Sequence, residues 1–508
     1  MREVAVFGSA RRKDFRHDSK VDLLVTDRND NDAQAAGEFV RNKSLQARLR
    51  AVSASGPFGL LLVLAAWLGG CARAKPAPPR RGFTVISFWE PYGGRAKVRL
   101  QEIVDEFERA YPRIHVQVSY AANNLTSSQK LFLAIAGGVP PDVTVVDGQQ
   151  TTEWAARGAL ENLTRPVRRA GISGKDFWTP RWQESVFAGR VWALPWGADP
   201  NFALAWNKRL FRQAGLDPDQ PPRTMAQLQA DMRRLTVIRP DGRIVRLGLI
   251  PWEYGSANSL FTWAYAFGGN FYDPPRGRHM IGRVTINNPR NIEALRWMAH
   301  YARRYGISHV AAFQSNFIGA AANPFYTGQI AMTLLYIEQY SQLKRYAPTL
   351  DYGLGFIPAG PHGHYPTGWL GGWSLAVPKG ARYPRAAFEF IRWMCASSAG
   401  TLAYGQDMAM FPAYRYSPYF QAIRHNKHLM VFYRIVSQSR HARSLTPVNG
   451  YLMDLLHRAG QQVFYNHQSA KRELDKVNRT IKQRLAQVVR AARRRLRRHT
   501  TGARARRE

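Results

Sequence analysis

Strand-like and helix-like patterns alternate along residues 83–147. Residues 83–89, 114–120 and 142–147 are rich in β-branched and aromatic side chains, which is typical of strands. The stretches between them, residues 98–111 and 127–136, carry apolar side chains at helical spacing. Strands that alternate with helices favour a parallel sheet with right-handed crossovers, so the pattern predicts an α/β fold.

The alternation continues through most of the chain. Further strands are predicted at residues 203–207, 327–335 and 371–378, and a strand and loop at residues 248–253, followed by a long apolar helix that ends at Phe267. Further helices are predicted at residues 208–214, 224–235, 288–305, 385–396 and 470–498. Some tryptophans fall inside helical patterns and are expected in the core: Trp178, Trp182, Trp263, Trp297 and Trp393. Cys395 lies in an apolar helical stretch, where a buried and inert thiol is expected.

A short apolar run at residues 56–71 follows basic residues and ends in Leu-Gly-Gly-Cys71. This order is typical of a secretory signal, and the run is shorter than the roughly 20 apolar residues of a membrane-spanning helix. Small residues before a cysteine resemble a bacterial lipobox, in which the thiol is acylated and the cysteine becomes the new N-terminus. The sequence therefore predicts a lipoprotein signal peptide at residues 51–71, lipidation of Cys71 and a Pro-rich linker at residues 72–82.

The first thirty residues resemble a fragment of a minimal nucleotidyltransferase. Gly8 and Ser9 match the Gly-Ser turn of that family, and Asp22 matches one of its two metal-binding aspartates, but Lys20 stands where the other is expected. One carboxylate beside a lysine holds a divalent cation poorly. We therefore expect residues 1–50 to be a non-functional extension or an over-extended gene start.

The charge balance is strongly basic, with 72 Lys and Arg against 35 Asp and Glu and a net charge of +37 over 508 residues. Such a surface favours anionic surroundings, although diffuse solvated charge explains it more simply. No basic cluster is interleaved with aromatic residues in the manner of a nucleic-acid stacking platform, so no nucleic-acid partner is expected. Two interpretations stay open for the basic tail at residues 490–508: a solvated end of the chain, or a segment that contacts anionic lipid.

Ordered motifs along the body of the chain resemble one family. They are an aromatic-ended strand at residues 83–89, Pro140-Pro-Asp-Val-Thr-Val-Val-Asp147, Trp192-Ala-Leu-Pro195, Gly268-Gly-Asn270, Gly328-Gln-Ile-Ala-Met332 and Gly371-Gly-Trp-Ser374. Their order resembles the family 1 extracellular solute-binding proteins, the carbohydrate receptors of ATP-driven (ABC) importers. The resemblance implies a two-lobed periplasmic-binding-protein type II fold, with a hinge of crossing strands and a ligand cleft between the lobes.

The resemblance also suggests a division of the chain. We assign residues 83–198 and 326–370 to lobe 1 and residues 199–325 and 371–489 to lobe 2. Hinge segments are expected near residues 197–202, 323–327 and 369–373, where Gly, Pro or Asn allows the backbone to change.

The candidate ligand-binding residues are aromatic and polar side chains at predicted strand ends. Sugars offer C–H faces that stack on aromatic rings and hydroxyls that pair with planar polar groups. Open α/β sheets bind ligands in the loops beyond strand C-termini. The residues that combine these features are Trp89, Glu90, Asn123, Asn124, Asp147, Trp196, Asp199, Trp252, Glu253, Tyr336, Glu338, Trp369 and Trp373.

The function predicted from the resemblance is a receptor of an ABC importer that captures a sugar or oligosaccharide by hinge closure and delivers it to a membrane permease. Its partners would be a carbohydrate ligand, the permease subunits and, through acylated Cys71, the lipid membrane. We expect an exported monomer, on the outer face of the cytoplasmic membrane or in the periplasm, with no catalytic residues, metal or cofactor. One alternative is a receptor for an anionic solute, such as a sugar acid or a glycerophosphate-like molecule. Another is a glycoside-active enzyme, because the carboxylates of the cleft could flank a sugar bond.

Overall fold

The computed structural model describes residues 82–121, 125–252, 256–273, 275, 282–317, 320–443 and 445–504, with two strands near the N-terminus. It describes only the backbone of those strands and of residues 125–128, 256, 320 and 492–504. Several predictions fall on residues outside this part of the chain: the signal peptide, lipidation of Cys71, most of the linker, and the motif residues Gly8, Ser9, Lys20 and Asp22.

Residues 1–82 and 83–508 form separate units. In the first unit, β1 (Glu3–Val6) and β2 (Leu23–Thr26) pair antiparallel. All other elements belong to the second unit. Its strands are β3 Thr84–Glu90, β4 Ile114–Tyr120, β5 Val143–Asp147, β6 Val186–Phe187, β7 Arg190–Val191, β8 Leu194–Pro195, β9 Asp199–Asn201, β10 Ala203–Asn207, β11 Val237–Ile238, β12 Ile244–Arg246, β13 Tyr272–Asp273, β14 Arg283–Val284, β15 Met332–Leu335, β16 Tyr352–Phe356, β17 Trp369–Gly371, β18 Trp373–Ala376 and β19 His441–Ala442.

The helices of the second unit are mostly short, with one long helix at the C-terminal end. They are α1 Gly94–Ala110, α2 Leu125–Ala136, α3 Gly148–Arg157, α4 Thr164–Arg169, α5 Thr179–Glu184, α6 Lys208–Gln213, α7 Met225–Leu235, α8 Ser256–Ala266, α9 Pro289–Tyr305, α10 Ile307–Gln314, α11 Ile337–Tyr346, α12 Pro384–Ala396, α13 Ser398–Asp407, α14 Tyr419–Ala422, α15 Lys427–Gln438, α16 Asn449–Phe464 and α17 Ala470–Arg504, with 3₁₀ turns at Gly174–Asp176 and Ala320–Ala322.

The first sheet has the strand order β4-β3-β5-β18-β8. β3 pairs parallel with β4 and β5, whereas β18 pairs antiparallel with β5 and β8. The predicted parallel sheet is therefore confirmed for β3, β4 and β5, but the whole sheet is mixed. Its core is aromatic: the ring of Phe390 from α12 lies 5.2 Å from that of Phe88 and 4.9 Å from that of Phe107. The sequence favours this arrangement because α1 buries one apolar stripe, which includes Leu100 and Ile103.

The second sheet has the order β15-β10-β16 and is antiparallel throughout. One face of β10 carries Leu204 and Trp206, which join a core built from helices α7 to α10, α16 and α17. Trp263 of α8 and Met298 of α9 are fully buried there. Two sheets with separate helical layers make this a two-lobed α/β fold.

A third sheet, of order β19-β17-β9, joins the other two. β9 lies between β8 of the first sheet and β10 of the second along the chain, and β17 lies between β16 of the second and β18 of the first. Gly372 separates β17 from β18 with a φ of 128°, and a Cβ there would lie 2.6 Å from the carbonyl oxygen of Gly197. A residue with a side chain is therefore disfavoured at this junction.

These pairings correct the predicted lobe boundaries. β15 and β16, which lie in the segment assigned to lobe 1, pair with β10 of the second sheet. β18, assigned to lobe 2, pairs with β5 of the first. The error arose because strand pairing over more than 100 residues leaves no local trace in the sequence. The predicted hinge segments 197–202 and 369–373 coincide with β9 and β17, whereas the third strand of the joining sheet is β19 and not a part of segment 323–327.

Several local predictions are confirmed. The strands predicted at residues 114–120 and 203–207 have the predicted bounds, whereas the predicted strand 327–335 is reduced to β15. Trp178, Trp263 and Trp393 are buried, and Cys395 is a buried free thiol whose pKa is raised well above its ordinary value by burial. Among the described residues, no helix is both long enough and apolar enough to cross a bilayer.

Candidate ligand-binding site

Several predicted site residues meet at one edge of the first sheet. β3 ends at Glu90 and β5 ends at Asp147, and parallel neighbouring strands end at the same edge. The antiparallel strand β18 begins there, so Trp373 pairs with Asp147. The backbone N–H of Trp196 donates to the carbonyl of Trp373, and Asp199 pairs with Gly371. The structure therefore brings these strand ends together where the first sheet adjoins the joining sheet.

Asp147 is held from two sides. It caps the N-terminus of α3, because its side chain accepts hydrogen bonds from the backbone N–H of Gln149 at 3.3 Å and from the Gln149 amide at 2.9 Å. The guanidinium of Arg443 donates to the same carboxylate at 2.6 Å. Both side chains are largely buried, with exposed fractions of 11% for Arg443 and 19% for Asp147.

Arg443 was not among the predicted site residues. It follows β19 directly, and its guanidinium lies 5.3 Å from the ring centre of Trp369, within cation–π range. Nothing in the local sequence distinguishes it from neighbouring basic residues such as Arg440. Only the pairing of β19 with β17 brings it to Asp147, which is 296 positions away along the chain.

Arg181 lies fully buried beneath the edge and was also missed. Its guanidinium donates to the carbonyls of Gly197 at 2.7 Å and Trp373 at 3.0 Å, and it forms an ion pair with Glu184, which is also fully buried. Burial lowers the pKa of Arg181 to about 10, although the negative charges of Asp199 and Asp147 oppose this shift. The side chain stays charged at neutral pH and joins strands that come from distant parts of the chain.

Space at Arg181 also constrains the start of α3. A Cβ at Gly148 would overlap the guanidinium of Arg181 and the carboxylate of Glu184. Glycine at this position therefore allows the helix that Asp147 caps to sit directly on the buried ion pair.

Three carboxyl groups near this edge, those of Glu90, Asp199 and Glu338, have raised pKa values. Burial raises the pKa of Glu90 to about 7, although the backbone N–H of Tyr92, which donates to its carboxylate at 2.5 Å, opposes the shift. Burial raises the pKa of Asp199 to about 6, with Arg181 and Arg443 opposing the shift and Asp147 and Glu338 adding to it. The pKa of Glu338, in the first turn of α11, is raised by desolvation although the side chain keeps solvent contact.

Some carboxylate oxygens have no protein donor. Among the described residues, Oε1 of Glu90 and Oδ1 of Asp199 are buried without a hydrogen-bond partner. Burial of an unsatisfied polar oxygen costs about 1–3 kcal/mol. A hydroxyl or water that donates a hydrogen bond to either oxygen would therefore remove part of this cost. The edge is therefore richer in acceptors than in donors.

Two of the predicted aromatic residues are packed against protein. Trp196 is fully buried, with its ring centre 4.5 Å from that of Tyr404 and 6.0 Å from that of Tyr92. Trp369 is 3% exposed, and its indole N–H donates to the hydroxyl of Thr262 at 2.9 Å. The expectation that these two rings stack on a ligand is not met in this conformation, because protein groups already cover them.

The remaining predicted residues are spread over the structure. Trp89, Trp373 and Tyr336 are half-buried, and the ammonium of Lys130 lies 4.9 Å from the ring centre of Trp89. Trp252 packs on the second lobe between Tyr301 and Phe464, at ring distances of 5.3 and 5.1 Å. Asn123, Asn124 and Glu253 lie outside the described residues.

The described residues include no group of three or more His, Cys, Asp or Glu side chains arranged to hold a metal ion. The edge thus contains buried and half-buried aromatic rings, acceptor-rich carboxylates and two arginines that already face carboxylates. Such a surface is suited to binding an organic solute through hydrogen bonds and apolar contact.

A two-lobed α/β fold with a polar edge beside its joining strands defines the class of solute-binding proteins. Residues 95–400 match the family of bacterial extracellular solute-binding proteins, and the chain belongs to this family.

Curated relatives are distant in sequence. The chain is similar to the sn-glycerol-3-phosphate-binding periplasmic protein UgpB of Yersinia pseudotuberculosis, with 23% identity over 288 residues, which is 54% of this chain and 61% of that protein. The UgpB of Salmonella typhimurium is 24% identical over 308 residues, 58% of this chain and 66% of that protein. The chain therefore spans less than two thirds of the length of these relatives.

Solved structures match the fold over their whole length. CpMnBP1 with mannotriose bound has a TM-score of 0.68 and 22% identity, and the match covers 78% of this chain and 100% of that protein. The ABC substrate-binding protein Lmo0181 from Listeria monocytogenes, in complex with cycloalternan, has a TM-score of 0.65 and 20% identity, covering 80% and 99%. At this level of identity the likeness shows the two-lobed fold.

Proposed function

We propose that this protein is the receptor of an ABC importer and that it captures a neutral sugar or oligosaccharide between its two lobes. Ligand contacts on both lobes would shift the hinge equilibrium toward the closed form, which then delivers the solute to a membrane permease. The family membership supports the receptor role. The names of two solved relatives, with mannotriose and with cycloalternan, support the ligand class.

The pairing of both arginines is the observation that favours a neutral ligand. Arg181 is fully buried against Glu184 and backbone carbonyls, and Arg443 is paired with Asp147. An anionic ligand bound at Arg443 would have to displace the carboxylate of Asp147 and approach Asp199 and Glu338, at a cost in electrostatic repulsion. A hydroxyl-rich neutral ligand would instead donate to the unsatisfied oxygens of Glu90 and Asp199.

A second candidate function is capture of an anionic solute, such as a sugar acid or a glycerophosphate. The curated relatives named for sn-glycerol-3-phosphate favour it, as does the net charge of +37. Two exposed lysines also lie near the edge: Lys130 beside Trp89, and Lys97, which lowers the pKa of Glu90. These cations could receive an anion without breaking the pair of Arg443 and Asp147.

Calorimetric titration separates the two candidates. The panel contains neutral manno- and malto-oligosaccharides, uronic acids and glycerol-3-phosphate, each titrated at low and at physiological ionic strength. Tight binding of a neutral oligosaccharide with little salt dependence is expected. Tight, salt-sensitive binding of only the anions would establish the second candidate instead, and turnover of a chromogenic glycoside would contradict the receptor role altogether.

The proposed location is the outer face of the cytoplasmic membrane or the periplasm, with the chain anchored through acylated Cys71. Export is supported by the family, whose description is extracellular. Mass spectrometry of the mature N-terminus tests the anchor: a lipid-modified Cys71 is expected, and a mature chain that begins before residue 56 would contradict it.

A further inference from the structure

The C-terminal helix α17 has two chemically different faces. Leu474, Val477, Ile481, Leu485 and Val489 are buried and recur at intervals of three and four residues. Leu474, Val477, Ile481 and Leu485 of this stripe pack into the core of the second lobe, where α17 contacts α16 and α9. The stripe fixes the rotation of the helix about its axis, so the position of every other residue around it follows.

The face opposite the stripe is basic. Arg472, Lys476, Arg479 and Arg490 are exposed, and their spacing places them together on this face. The backbone stays helical to Arg504, and the same spacing places further arginines on the same face: Arg493, Arg494, Arg497, Arg498 and Arg504. We call these nine residues the basic face of α17.

Few acidic groups neutralise this face. Between residues 470 and 504 the sequence has thirteen Lys and Arg but only Glu473 and Asp475 as acids. Glu473 is buried, and Asp475 pairs with Lys471, which lies outside the basic face, and with the amide of Asn287. Among the described residues, none of Arg472, Lys476, Arg479 and Arg490 forms a salt bridge, so their charge is available to a partner.

We propose that the basic face of α17 binds the anionic surface of a phospholipid bilayer. A 35-residue helix is about 50 Å long, so its charges can meet several headgroups at once along one line. A row of exposed basic residues on an amphipathic helix is the pattern that binds membrane surfaces. Single-stranded nucleic acid is less suited to this face, because residues 470–504 contain no Phe, Tyr or Trp on which bases could stack.

This surface would act independently of the ligand and of acylation. A receptor whose second lobe rests on the membrane would stay near a membrane-bound partner even without its lipid anchor. The proposal therefore does not rest on the ligand proposed above, and it can fail or succeed while that ligand stands.

The test uses the full chain with Cys71→Ser, which cannot be acylated at that position. Cosedimentation is measured with vesicles of phosphatidylcholine alone and of phosphatidylcholine with about 30 mol% phosphatidylglycerol. The test variant adds R490Q, R493Q, R494Q and R497Q. The control variant adds R165Q, R168Q, R169Q and R239Q, which change the net charge equally at exposed positions elsewhere.

We expect the Cys71→Ser protein to bind only the anionic vesicles, and this binding should weaken as the salt concentration rises. The affinity for these vesicles should fall by at least about tenfold in the test variant and by less than about threefold in the control variant. Circular dichroism and thermal melting verify that both variants are folded. Equal losses in the two variants, unchanged binding in the test variant, or equal binding to neutral vesicles would each overturn the proposal. Binding of duplex DNA is measured for the same proteins. If the test variant loses DNA binding but keeps all of its vesicle binding, the proposal is overturned and the basic face binds a nucleic acid instead.

Discussion

The polar edge of the first sheet and the basic face of α17 belong to one strongly basic chain, yet they handle charge in opposite ways. At the edge, Arg181 and Arg443 are buried or nearly so, and each faces a carboxylate. On α17, Arg472, Lys476 and Arg490 are exposed, without a salt bridge among the described residues. The net charge of the whole chain therefore says little about either site, because burial and pairing decide which charges a partner can meet.

This contrast predicts where substitutions are costly. Removing one member of a buried ion pair leaves the other charge unpaired in a medium of low polarity, which is costly. Removing an exposed charge mainly changes the long-range attraction between the protein and a charged partner. The edge should therefore control stability and ligand choice, and α17 should control association with an anionic surface. Four substitutions test this division.

The largest effect is expected for Arg181→Met. It would leave the fully buried Glu184 without its partner and remove donors from the carbonyls of Gly197 and Trp373. The expected loss is about 3–5 kcal/mol in the free energy of unfolding, measured by urea denaturation followed by circular dichroism. Arg165→Met, at an exposed position, should change it by less than about 0.5 kcal/mol. Similar losses in the two variants would refute the contrast.

The second-largest effect is expected for Glu90→Gln, which should change how the free energy of unfolding depends on pH. The folded pKa of Glu90 is about 7, above its ordinary value of 4.5, so the folded state binds the proton more tightly than the unfolded state. Stability from this group is fully present below about pH 4.5 and is lost as the pH rises to about 7 and beyond. At pH 8 the Gln variant should be more stable by about 1–3 kcal/mol, with little difference at pH 4.5.

The measurement is thermal or urea unfolding of both proteins between pH 4.5 and pH 8. Asp199, whose pKa is also raised, contributes a decline of the same sign in both proteins, so it cancels in their difference. A difference that does not depend on pH would show that Glu90 ionises normally in the folded state.

A third substitution, Asp147→Asn, addresses ligand choice. Asparagine still caps α3, but Arg443 loses the carboxylate that it contacts at 2.6 Å. The preference for a neutral oligosaccharide over an anionic ligand should therefore fall by about tenfold, which corresponds to about 1.4 kcal/mol in calorimetric binding energies. Arg443→Gln is the matched control and should not gain affinity for anions. An unchanged preference in Asp147→Asn would mean that Arg443 does not meet the ligand.

The sequence predicted local elements well and long-range relations poorly. The strands β4 and β10 could be bounded correctly because β-branched and aromatic residues fill them. The helix α1 could be located because its apolar residues recur at helical spacing, although it begins four residues before the predicted start at residue 98. The lobe boundaries failed because β18 reaches the first sheet by tertiary pairing alone. Resemblance to a family supplied the two lobes but not the register of the strands that join them.

The site was predicted in the same uneven way. Glu90, Asp147, Asp199 and Trp373 could be grouped because they lie at or near the ends of predicted strands. Arg181 could not, since it lies in a six-residue helix and its partners lie up to 193 positions away. Trp196 looked like a ligand contact at a strand end, but Tyr404 from a distant helix covers it.

The smallest effect is expected for Lys471→Gln, which isolates an exposed charge on α17. Its ammonium lies 2.8 Å from the carboxylate of Asp475 one helical turn away, with exposed fractions of 63% and 23%. Because water and salt screen such a pair, the free energy of unfolding should fall by less than about 0.5 kcal/mol in urea denaturation. Asp475 also keeps its hydrogen bond from Asn287, which limits the loss further. A loss above about 1 kcal/mol would show that the charges of α17 stabilise the fold. In that case a substitution on the basic face could weaken vesicle binding by unfolding the helix. A small effect of Lys471→Gln is therefore needed before a loss of vesicle binding can be attributed to the lost charges.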